Sequence, residues 1–274
     1  MDTLTVQRQY DHVVAPHYDL DPHKVIGRSL DRALGQVRKR QVLEYGTDPF
    51  QVLDVGVGTG SFLTRLKALG DDRVRPFGLD LSAKMIEAAR RKVPDLVAAV
   101  DDAANLDNHF PGESFGLVCT HFITGFVPVG ALAPKIWGRL EEGGYWSLVG
   151  GTKAGFPALQ AKARSRLLGW FCGGDGLSVD DVVCNPAGRA EVVEALESNG
   201  FAVRAAETFE PALYFRNFDE FMDFAYRGGW LTPFIEALGL HKAGALTRWL
   251  VNRFFFPADD HHSIEVVLAQ KVKK

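Results

Sequence analysis

Three kinds of feature are scarce in this sequence, and each scarcity argues against a class of protein. The 274 residues include three cysteines, Cys119, Cys172 and Cys184, and no two of them form a C-x-x-C pair. An apolar run of about 18 residues and an N-terminal signal-peptide core are both missing. The formal net charge is only -3, without a local basic patch. We therefore expect a cytoplasmic protein with no transmembrane segment and no nucleic-acid partner.

The composition can supply one large hydrophobic core. Hydrophobic residues make up 46% of the chain, and 274 residues are enough for an α/β domain with additions. The sequence contains no internal repeat, no low-complexity tract and no linker that would separate a second domain. We predict a single domain over residues 1–274.

The most informative stretch is FQVLDVGVGTGS, at residues 50–61. Its apolar residues predict a strand that is buried on both faces of a parallel sheet. Asp54 and three glycines at alternate positions, Gly56, Gly58 and Gly60, interrupt the apolar run. Glycines let a ligand approach the backbone, and the helix predicted after them offers its N-terminus to a negatively charged group. The stretch therefore predicts a nucleotide-type binding site.

A second strand-and-helix unit follows, RVRPFGLDLSAKMIEAARRK. Its strand ends at Asp80, Ser82 is the predicted N-cap, and basic residues close the helix before Pro94. NAD-binding Rossmann domains carry G-x-G-x-x-G in the same place and an acidic residue at a similar distance. Here Ser61 occupies the sixth position of that pattern, and the LDLSAKM sequence also argues against an NAD site.

Several motifs together resemble a known family. DVGVGTG, LDLSAKMIEAAR, DDAANL, SFGLVCTHF and RLEEGG occur in this order between residues 50 and 150. The chain thereby resembles the class I S-adenosylmethionine (SAM)-dependent methyltransferases, in the small-molecule branch that includes the ubiquinone and menaquinone methyltransferases. The resemblance implies an α/β fold with a Rossmann-like, doubly wound, seven-stranded, mostly parallel sheet and helical lid segments. It also implies SAM as cofactor, S-adenosyl-L-homocysteine as its product, and a small-molecule acceptor, in a monomer or a homodimer.

The resemblance further assigns cofactor-binding residues. It gives Asp80 the ribose hydroxyls and gives Asp102 with Ala103 the adenine ring, with Asp101 as the adjacent acid. The segment YDHVVAPHYD resembles Y-D-x-x-A-x-x-Y-D, which puts Tyr18 near the methionine end of SAM. The complete predicted set is Tyr18, Asp54, Gly56, Gly58, Gly60, Asp80, Leu81, Met85, Asp102, Ala103 and Thr120.

One alternative remains beside this assignment, and one residue departs from the family pattern. Tyr10 and Tyr18 can merely anchor an N-terminal helix, without contact to a cofactor. The family usually has an aspartate where Gly116 stands in this chain, so the support beneath the site is expected to differ.

The chain divides into segments that follow from these motifs. We expect an N-terminal helical lid (1–46), a SAM-binding core (47–150), an insertion (151–184), more core (185–210), an aromatic-rich lid insertion (211–257) and the last strand (258–274). Helices are predicted over residues 25–46, 129–142 and 156–171. A further helix is predicted from an Asn185-Pro186 cap to Gly200, and a flexible loop over residues 172–178.

The aromatic-rich insertion suggests where an acceptor binds. An insertion between the last two strands lies over the carboxyl edge of the sheet, where open α/β folds bind ligands. An apolar or aromatic acceptor is therefore expected, and a helix around Trp170 is a candidate second wall. The predicted substrate residues are Phe122, Phe126, Tyr214 and Trp230. Core packing or subunit contacts would explain the same aromatics.

Catalysis of methyl transfer rests mainly on proximity and orientation, and a general base is needed only for a weakly acidic alcohol or a protonated amine. His121 directly follows the predicted fourth strand and is the first candidate for that base. His17 and His12 are the next candidates. Each of the three can equally be structural. The DDHH run at residues 259–262 is interpreted as a solvated turn rather than a metal site, because adjacent side chains before a strand point apart.

The predicted function is SAM-dependent methyl transfer to a small, apolar or aromatic metabolite. Two alternatives remain. One is an enzyme that keeps the methyltransferase fold but catalyses a different reaction, such as a cyclisation. The other is a non-catalytic SAM-binding protein or an NAD-binding Rossmann protein.

Overall fold

The apolar run before the three glycines forms a central strand of a seven-stranded sheet. The computed structural model describes residues 3–44, 48–70, 72–163, 184–237 and 239–272. The strand order is β3-β2-β1-β4-β5-β9-β6, and β9 runs antiparallel to its neighbours β5 and β6. The strands are β1 Phe50–Val55, β2 Val74–Asp80, β3 Val97–Val100, β4 Phe115–His121, β5 Leu140–Gly151, β6 Phe201–Phe209 and β9 Ile264–Lys271. The predicted doubly wound, mostly parallel sheet is confirmed.

Helices connect the strands and continue into the two added segments. The α-helices are α1 Thr3–Gln9, α2 Val25–Lys39, α3 Ser61–Lys67, α4 Ala83–Lys92, α5 Val129–Arg139, α6 Pro157–Ala163, α7 Arg189–Glu197, α8 Phe218–Met222, α9 Thr232–Ala237 and α10 Ala245–Phe255. Single π-helical turns occur at Tyr10–Val14 and Asp223–Arg227. Short 3-10 helices occur at Tyr18–Leu20, Val42–Glu44, Ala103–Asn108 and Leu240–Lys242.

Two apolar layers bury the sheet. Helices α2, α3 and α4 cover one face, and aromatic residues of 211–257 extend that layer. Helices α5 and α7 cover the other face around the fully buried Trp146. Because side chains alternate along a strand, Val52 of β1 enters the first layer while Leu53 and Val55 enter the second. This two-sided burial explains why the run is almost continuously apolar.

The order of the strands fixes where a ligand can bind. The chain moves outward from β1 to β2 and β3, then returns to the other side of β1 as β4. The connections after β1 and β4 therefore leave the sheet in opposite directions and open a cleft beyond its carboxyl edge. Gly56, Asp80 and His121 all lie at that edge.

Three predicted helix boundaries were wrong. Helix α2 ends at Lys39 instead of Gly46, because Gln41 adopts a left-handed conformation with φ of 53°. Helix α5 ends at Arg139 instead of Glu142, since Leu140 is already extended and pairs with Phe115 as the start of β5.

The third wrong boundary concerns the predicted Asn185-Pro186 cap. Helix α7 begins only at Arg189, after Gly188, and the carboxylate of Glu191 accepts the N–H of Ala187 at 2.7 Å. Asn185 lies before the helix and lines the cavity described below.

A small second sheet was not predicted. Strand β7, Ala212–Phe215, pairs with β8, Ala258–His261. The interpretation of residues 259–262 as a solvated turn was wrong, because Asp260 and His262 are buried. The carboxylate of Asp260 accepts the backbone N–H groups of Ala158 and Leu159 at 3.2 and 2.8 Å, which satisfies the first turn of α6.

Gly116 has a packing explanation. A Cβ atom at this position would lie 2.6 Å from Cε2 of Phe50, so the ring of Phe50 occupies the space of any side chain. The ring of Phe50 thus fills the space in which the resemblance led us to expect an aspartate side chain.

Two further predictions can be compared only in part. The helix predicted over residues 156–171 is present in part, as α6. The rest of that helix, with Trp170, lies outside the described residues, as do the loop predicted at 172–178 and Cys172.

In the ranges given above, we find no helix that is long and apolar enough to cross a membrane.

Candidate active site

One cavity of about 400 Å³ lies along the carboxyl edge of the sheet. Its walls combine the glycine turn after β1, the end of β2, the loop after β4 and the end of β5. The N-terminal segment and residues 228–231 of the aromatic-rich insertion also line it. The volume falls within the range of small-molecule sites.

The glycine turn brings bare backbone to the cavity. Gly56 and Gly58 line it, with φ of 78° and 53°. A Cβ atom at Gly58 would point towards the ring of Tyr18, whose Cε1 lies 3.7 Å away. Gly60 has a different role, since a Cβ there would lie 3.2 Å from the backbone of Ala89 in α4. Gly58 therefore gives access to a ligand, whereas Gly60 permits helix packing.

Asp80 is held in place by two backbone donors. Its Oδ2 accepts the N–H of Gly58 at 2.8 Å, and its Oδ1 accepts the N–H of Ser82 at 2.9 Å. Burial raises the pKa of this carboxyl group to about 6, although both hydrogen bonds lower it. Each oxygen keeps a lone pair, so the carboxylate can accept further donors from a ligand.

Asp54 is buried below the turn with an unpartnered oxygen. Its exposed fraction is 2%, and Oδ1 has no hydrogen-bond partner in the described structure. Burial, followed by the charge of Asp80, raises the pKa of Asp54 well above its usual range. The side chain borders a smaller cavity of about 20 Å³ together with Tyr18, Gly56 and His121. A cationic donor at this point would satisfy the unpaired carboxyl oxygen.

The two adjacent acids after β3 have different environments. Asp101 accepts hydrogen bonds from Asn105 and His109, and these lower the pKa of its carboxyl group to about 2. Among the described residues, Asp102 accepts a backbone N–H at 2.8 Å and a distant hydroxyl at 3.5 Å. Asp102 is therefore the freer acceptor of the pair. Residues lining the same end of the cavity are Leu81, Met85 and Ala103.

The N-terminal segment is fastened to the glycine-turn side by two aspartates. Asp11 accepts the hydroxyl of Ser82 at 2.6 Å and the backbone N–H of Lys84 at 3.1 Å, at the start of α4. Asp19 accepts the hydroxyl of Thr59 at 2.6 Å and pairs with Lys92 at 2.7 Å. These contacts hold the segment in place, and the side chains of Tyr10 and Tyr18 both line the cavity.

His121 lies at the centre of the cavity edge. It is 6% exposed, its Nε2 lies 3.1 Å from the hydroxyl of Ser147, and its Nδ1 has no partner in the described structure. Burial lowers the pKa of the imidazole to about 3. The neighbouring Thr120 points to the opposite face of β4, where its hydroxyl accepts the indole N–H of Trp146 at 2.9 Å. The side chain of Thr120 does not line the cavity.

The other two predicted histidines lie outside the cavity. His12 is exposed, and Nδ1 of His17 lies 2.8 Å from the carbonyl oxygen of Val13. Neither residue lines the cavity wall, so the structure brings neither of them to the candidate reaction site.

Three of the four predicted substrate residues line the cavity. Phe122 contacts Trp230 edge to face at 5.0 Å, and Phe126 contacts Tyr10 in the same manner at 5.8 Å. Tyr214 does not line the cavity, because it lies in β7 and is 50% exposed. The aromatic insertion thus supplies both core residues, such as Phe218, and cavity wall.

Sequence reasoning missed other cavity residues, among them Thr124, Phe156, Asn185 and His262. The glycines at 150, 151 and 155 were the available signal, because glycines after a strand leave room at the sheet edge.

The described residues fit SAM. Gly56 and Gly58 leave backbone exposed to the cavity, Asp80 presents free lone pairs, and the unpartnered Asp54 oxygen suits an ammonium group. A carboxylate beside a glycine turn, an acidic acceptor after β3 and an apolar wall match the ribose, adenine and methionine parts of this cofactor.

Comparison with known proteins also points to a methyltransferase. Residues 52–144 match the model of a methyltransferase domain. A demethylmenaquinone methyltransferase from Deinococcus radiodurans is 29% identical over 134 residues, which are 48% of this chain and 54% of that protein. The match therefore spans about half the length of this curated relative.

Solved structures share the fold. The YcgJ protein of Bacillus subtilis superposes with a TM-score of 0.57 at 16% identity, over 89% of this chain and 100% of that one. The geranyl diphosphate C-methyltransferase of Streptomyces coelicolor, solved with S-adenosyl-L-homocysteine, gives a TM-score of 0.53 at 13% identity over 98% of both chains. The predicted resemblance is confirmed: residues 52–144 match a methyltransferase domain, and the chain shares the fold of a solved methyltransferase structure.

Proposed function

We propose that this chain transfers the methyl group of SAM to a small, apolar or aromatic acceptor. One observation carries the proposal: a single cavity joins the glycine turn and Asp80 at one end to an aromatic wall around Trp230 at the other. The methyltransferase domain match supports the reaction, and the cavity supports a small acceptor.

The chain's own side chains account for cofactor binding. We assign the ribose hydroxyls to Asp80, the adenine to Asp102 and Ala103, and the methionine end to the region of Tyr18, Asp54 and Gly56. Leu81 and Met85 would pack beside the nucleoside. Gly60 and Thr120 support this site indirectly. Gly60 permits the close packing of α4, and the hydroxyl of Thr120 accepts the indole N–H of Trp146.

SAM supplies an electrophilic methyl group on a cationic sulfonium. The protein's part is then to exclude water and to orient the acceptor. Tyr10, Tyr18 and the aromatic wall provide a largely apolar enclosure for that purpose. His121 keeps a neutral imidazole with a free Nδ1, which can accept a hydrogen bond from an acceptor hydroxyl but is a weak base.

Residues 1–24 and 211–257 are proposed to act as a lid over both reactants. The two segments touch each other, since the side-chain amide of Gln9 donates to the carbonyl of Tyr226 at 3.4 Å. A Cβ at Gly229 would also lie 3.2 Å from the hydroxyl of Tyr10. Opening of these contacts would admit reactants and release product.

Compartment, oligomeric state and partners are proposed from the composition and from the similar proteins. We propose a cytoplasmic monomer or homodimer, built as one methyltransferase unit, that acts on small molecules without a nucleic-acid partner. The names of similar proteins give different acceptors, demethylmenaquinone in one case and geranyl diphosphate in another. A cyclisation and a non-catalytic role are disfavoured by the methyltransferase match.

Incubation with SAM carrying a deuterated methyl group and a panel of small metabolites tests the proposal. Mass spectrometry should show one labelled product and an equal amount of S-adenosyl-L-homocysteine. Conversion of a metabolite with SAM unchanged would instead show a different reaction. Calorimetry in which NAD binds and SAM does not would contradict the cofactor assignment.

A further inference from the structure

Asp101 lies between the parts of the cavity that are assigned to ribose and to adenine. It is the first residue after β3 and lines the cavity together with Asp102 and Ala103. Its backbone N–H donates to the carbonyl oxygen of Asp80 at 3.0 Å. Asp101 is thereby joined to the residue assigned to ribose and is the neighbour in sequence of the residue assigned to adenine. No ligand group is assigned to its own side chain.

The carboxylate of Asp101 accepts three hydrogen bonds from its own loop. Oδ1 accepts the backbone N–H of Asp102 at 2.7 Å and the side-chain amide of Asn105 at 2.8 Å. Oδ2 lies 2.7 Å from Nε2 of His109, and the ring is the donor because a carboxylate only accepts. These donors lower the pKa of the carboxyl group to about 2, so Asp101 is charged at neutral pH. One charged side chain therefore ties residues 101–109 together.

His109 is fixed from a second side as well. Arg139, the last residue of α5, donates from its guanidinium group to the carbonyl oxygens of Leu106 and Phe110, at 3.0 Å in each case. The same group donates to the carbonyl oxygen of His109, whose backbone N–H donates to that of Leu106 at 3.1 Å. The backbone that carries the imidazole is therefore held by contacts that do not involve Asp101.

The residue after His109 has a strained backbone. Phe110 has φ of 52°, in the left-handed region, although it is not glycine. Its ring packs edge to face against Phe77 at 5.4 Å and Phe115 at 6.5 Å. The left-handed turn thus places Phe110 in the apolar layer while the preceding imidazole contacts Asp101. Backbone strain of this kind concentrates at functional sites, and here it accompanies the contact between His109 and Asp101.

The contacts of Asp101 act on the orientation of Asp102. Oδ1 of Asp102 accepts the N–H of Ala104 at 2.8 Å, which makes Asp102 the N-cap of the following 3-10 helix. Among the described residues, its Oδ2 accepts the hydroxyl of Thr3 at 3.5 Å, a long contact that leaves lone pairs for a ligand. Because Asp101 holds the backbone N–H of Asp102, it fixes the direction from which this second carboxylate enters the cavity.

We infer that Asp101 and His109 are positioning residues for the adenine end of the cofactor site. His109 holds the carboxylate of Asp101, and Asp101 holds the loop in the conformation in which Asp102 accepts the 6-amino group of adenine. This inference rests on the proposed cofactor site and specifies how the chain selects a 6-aminopurine. A 6-oxopurine presents an oxygen at the same place, which repels the carboxylate instead of donating to it.

Two matched ligands test the inference: S-adenosyl-L-homocysteine and S-inosyl-L-homocysteine, which carries an oxygen in place of the 6-amino group. Calorimetry with the full chain should show S-adenosyl-L-homocysteine binding at least about tenfold more tightly, the scale of one hydrogen bond to a charged group. His109→Leu and Asp101→Asn should each reduce this preference at least about threefold. Affinity for the inosyl compound should not fall in either variant, since Asp80 keeps its bonds to Gly58 and Ser82.

Further variants show how His109 acts. His109→Gln keeps a side-chain N–H that can donate to Asp101 and should retain most of the preference. In the Asp102→Ala background, which itself lacks the preference, His109→Leu should cause no further loss, because its effect passes through Asp102. His241→Leu is the matched control, since His241 pairs with Glu236 at 3.4 Å and neither residue lines the cavity. It should show the wild-type preference.

Three results would overturn the inference and leave the cofactor assignment in place. They are a preference that survives both His109→Leu and Asp101→Asn, an equal loss of affinity for both ligands in these variants, and a wild type that binds both ligands equally well. Asp101→Asn changes one atom of a side chain near the surface, so it decides the question even where His109→Leu fails to fold. A wild type that does not bind S-adenosyl-L-homocysteine would contradict the proposed methyl transfer, and the inference with it.

Discussion

The carboxylate of Asp80 accepts the backbone N–H of Gly58 across a distance of 2.8 Å. This hydrogen bond joins the end of β2 to the turn after β1, so the backbone of the turn and a carboxylate that both line the cavity are fixed together. A second bond from the N–H of Ser82 at 2.9 Å holds the other oxygen of Asp80. The carboxylate is thereby oriented before any ligand binds, and orientation in advance lowers the entropic cost of binding.

The first prediction concerns Asp80 and pH. Asp80→Ala should weaken SAM binding by about 1.5 to 3 kcal/mol, the range for charge-assisted hydrogen bonds. In the wild type, protonation of Asp80 removes the charge that accepts these bonds, so SAM affinity should fall by up to about tenfold per pH unit below pH 6. Calorimetry from pH 5 to pH 8 measures both effects.

The stability of the unliganded protein should change in the opposite direction. The folded pKa of Asp80 lies above its unfolded value of 3.8, so its contribution to the free energy of unfolding is fully present below pH 3.8. That contribution is lost as the pH rises through about 6. Asp80→Asn should remove the contribution of Asp80 to both pH dependences and leave that of the buried Asp54 in place. A fall in SAM affinity below pH 6 that persists in this variant would assign the titration to another group.

The second prediction separates two glycines of the turn. Gly58→Val should abolish SAM binding and leave the circular dichroism spectrum largely intact, because a side chain there enters the cavity next to Tyr18. Gly60→Val is the matched control: both variants strain a backbone with positive φ, but Gly60→Val should lower the unfolding temperature further, since its side chain also meets the backbone of Ala89. Loss of the folded spectrum in Gly58→Val would show that this glycine serves packing.

The glycine turn illustrates what the sequence can predict. Apolar periodicity and the spacing of Asp54, Gly56, Gly58 and Asp80 predicted strands, turn and cofactor edge, because these are local patterns with a direct structural meaning. The distinct role of Gly60 was not predicted. It depends on how closely α4 approaches the turn, which is a tertiary distance.

The third prediction concerns His121. Because the pKa of its imidazole is about 3, the ring should be neutral from pH 5 to pH 8 and should not titrate in the rate profile. His121→Asn should therefore change kcat without moving any inflection of kcat against pH in this range. An inflection that is present in the wild type and absent from the variant would show that His121 is a titrating base.

The fourth prediction concerns lid closure. Amide hydrogens around Tyr18 should exchange faster than those of β1 and β5 in the free protein, and SAM or its product should slow them. Asp19→Ala should speed exchange around Tyr18 by about three- to tenfold, since it removes the contacts with Thr59 and Lys92.

Asp31→Ala provides a control for the loss of a surface ion pair, because Asp31 pairs with Arg65 away from the cavity. It should leave exchange around Tyr18 unchanged. Equal protection of residues 10–20 with and without saturating SAM would indicate a rigid cap rather than a lid.

The acceptor end shows the limit of sequence patterns. Phe122, Phe126 and Trp230 line the cavity, but Tyr214 belongs to the unpredicted sheet of β7 and β8. His262 follows β8 and was interpreted as part of a solvated turn. Its burial depends on the pairing of two strands some 45 residues apart and on a gap left by Gly151 and Gly155, and neither feature has a local signature.

The fifth prediction tests the central claim, that one cavity binds SAM at one end and the acceptor at the other. Saturation kinetics in both substrates should be measured for Asp80→Asn and Trp230→Ala, with Trp249→Ala as control because Trp249 is exposed and does not line the cavity. Asp80→Asn should raise the KM for SAM at least about tenfold and leave the KM for the acceptor within about twofold. Trp230→Ala should do the reverse, and Trp249→Ala should change neither. The account would be contradicted if Trp230→Ala raised the KM for SAM as much as Asp80→Asn does, or if both variants methylated the acceptor at wild-type KM.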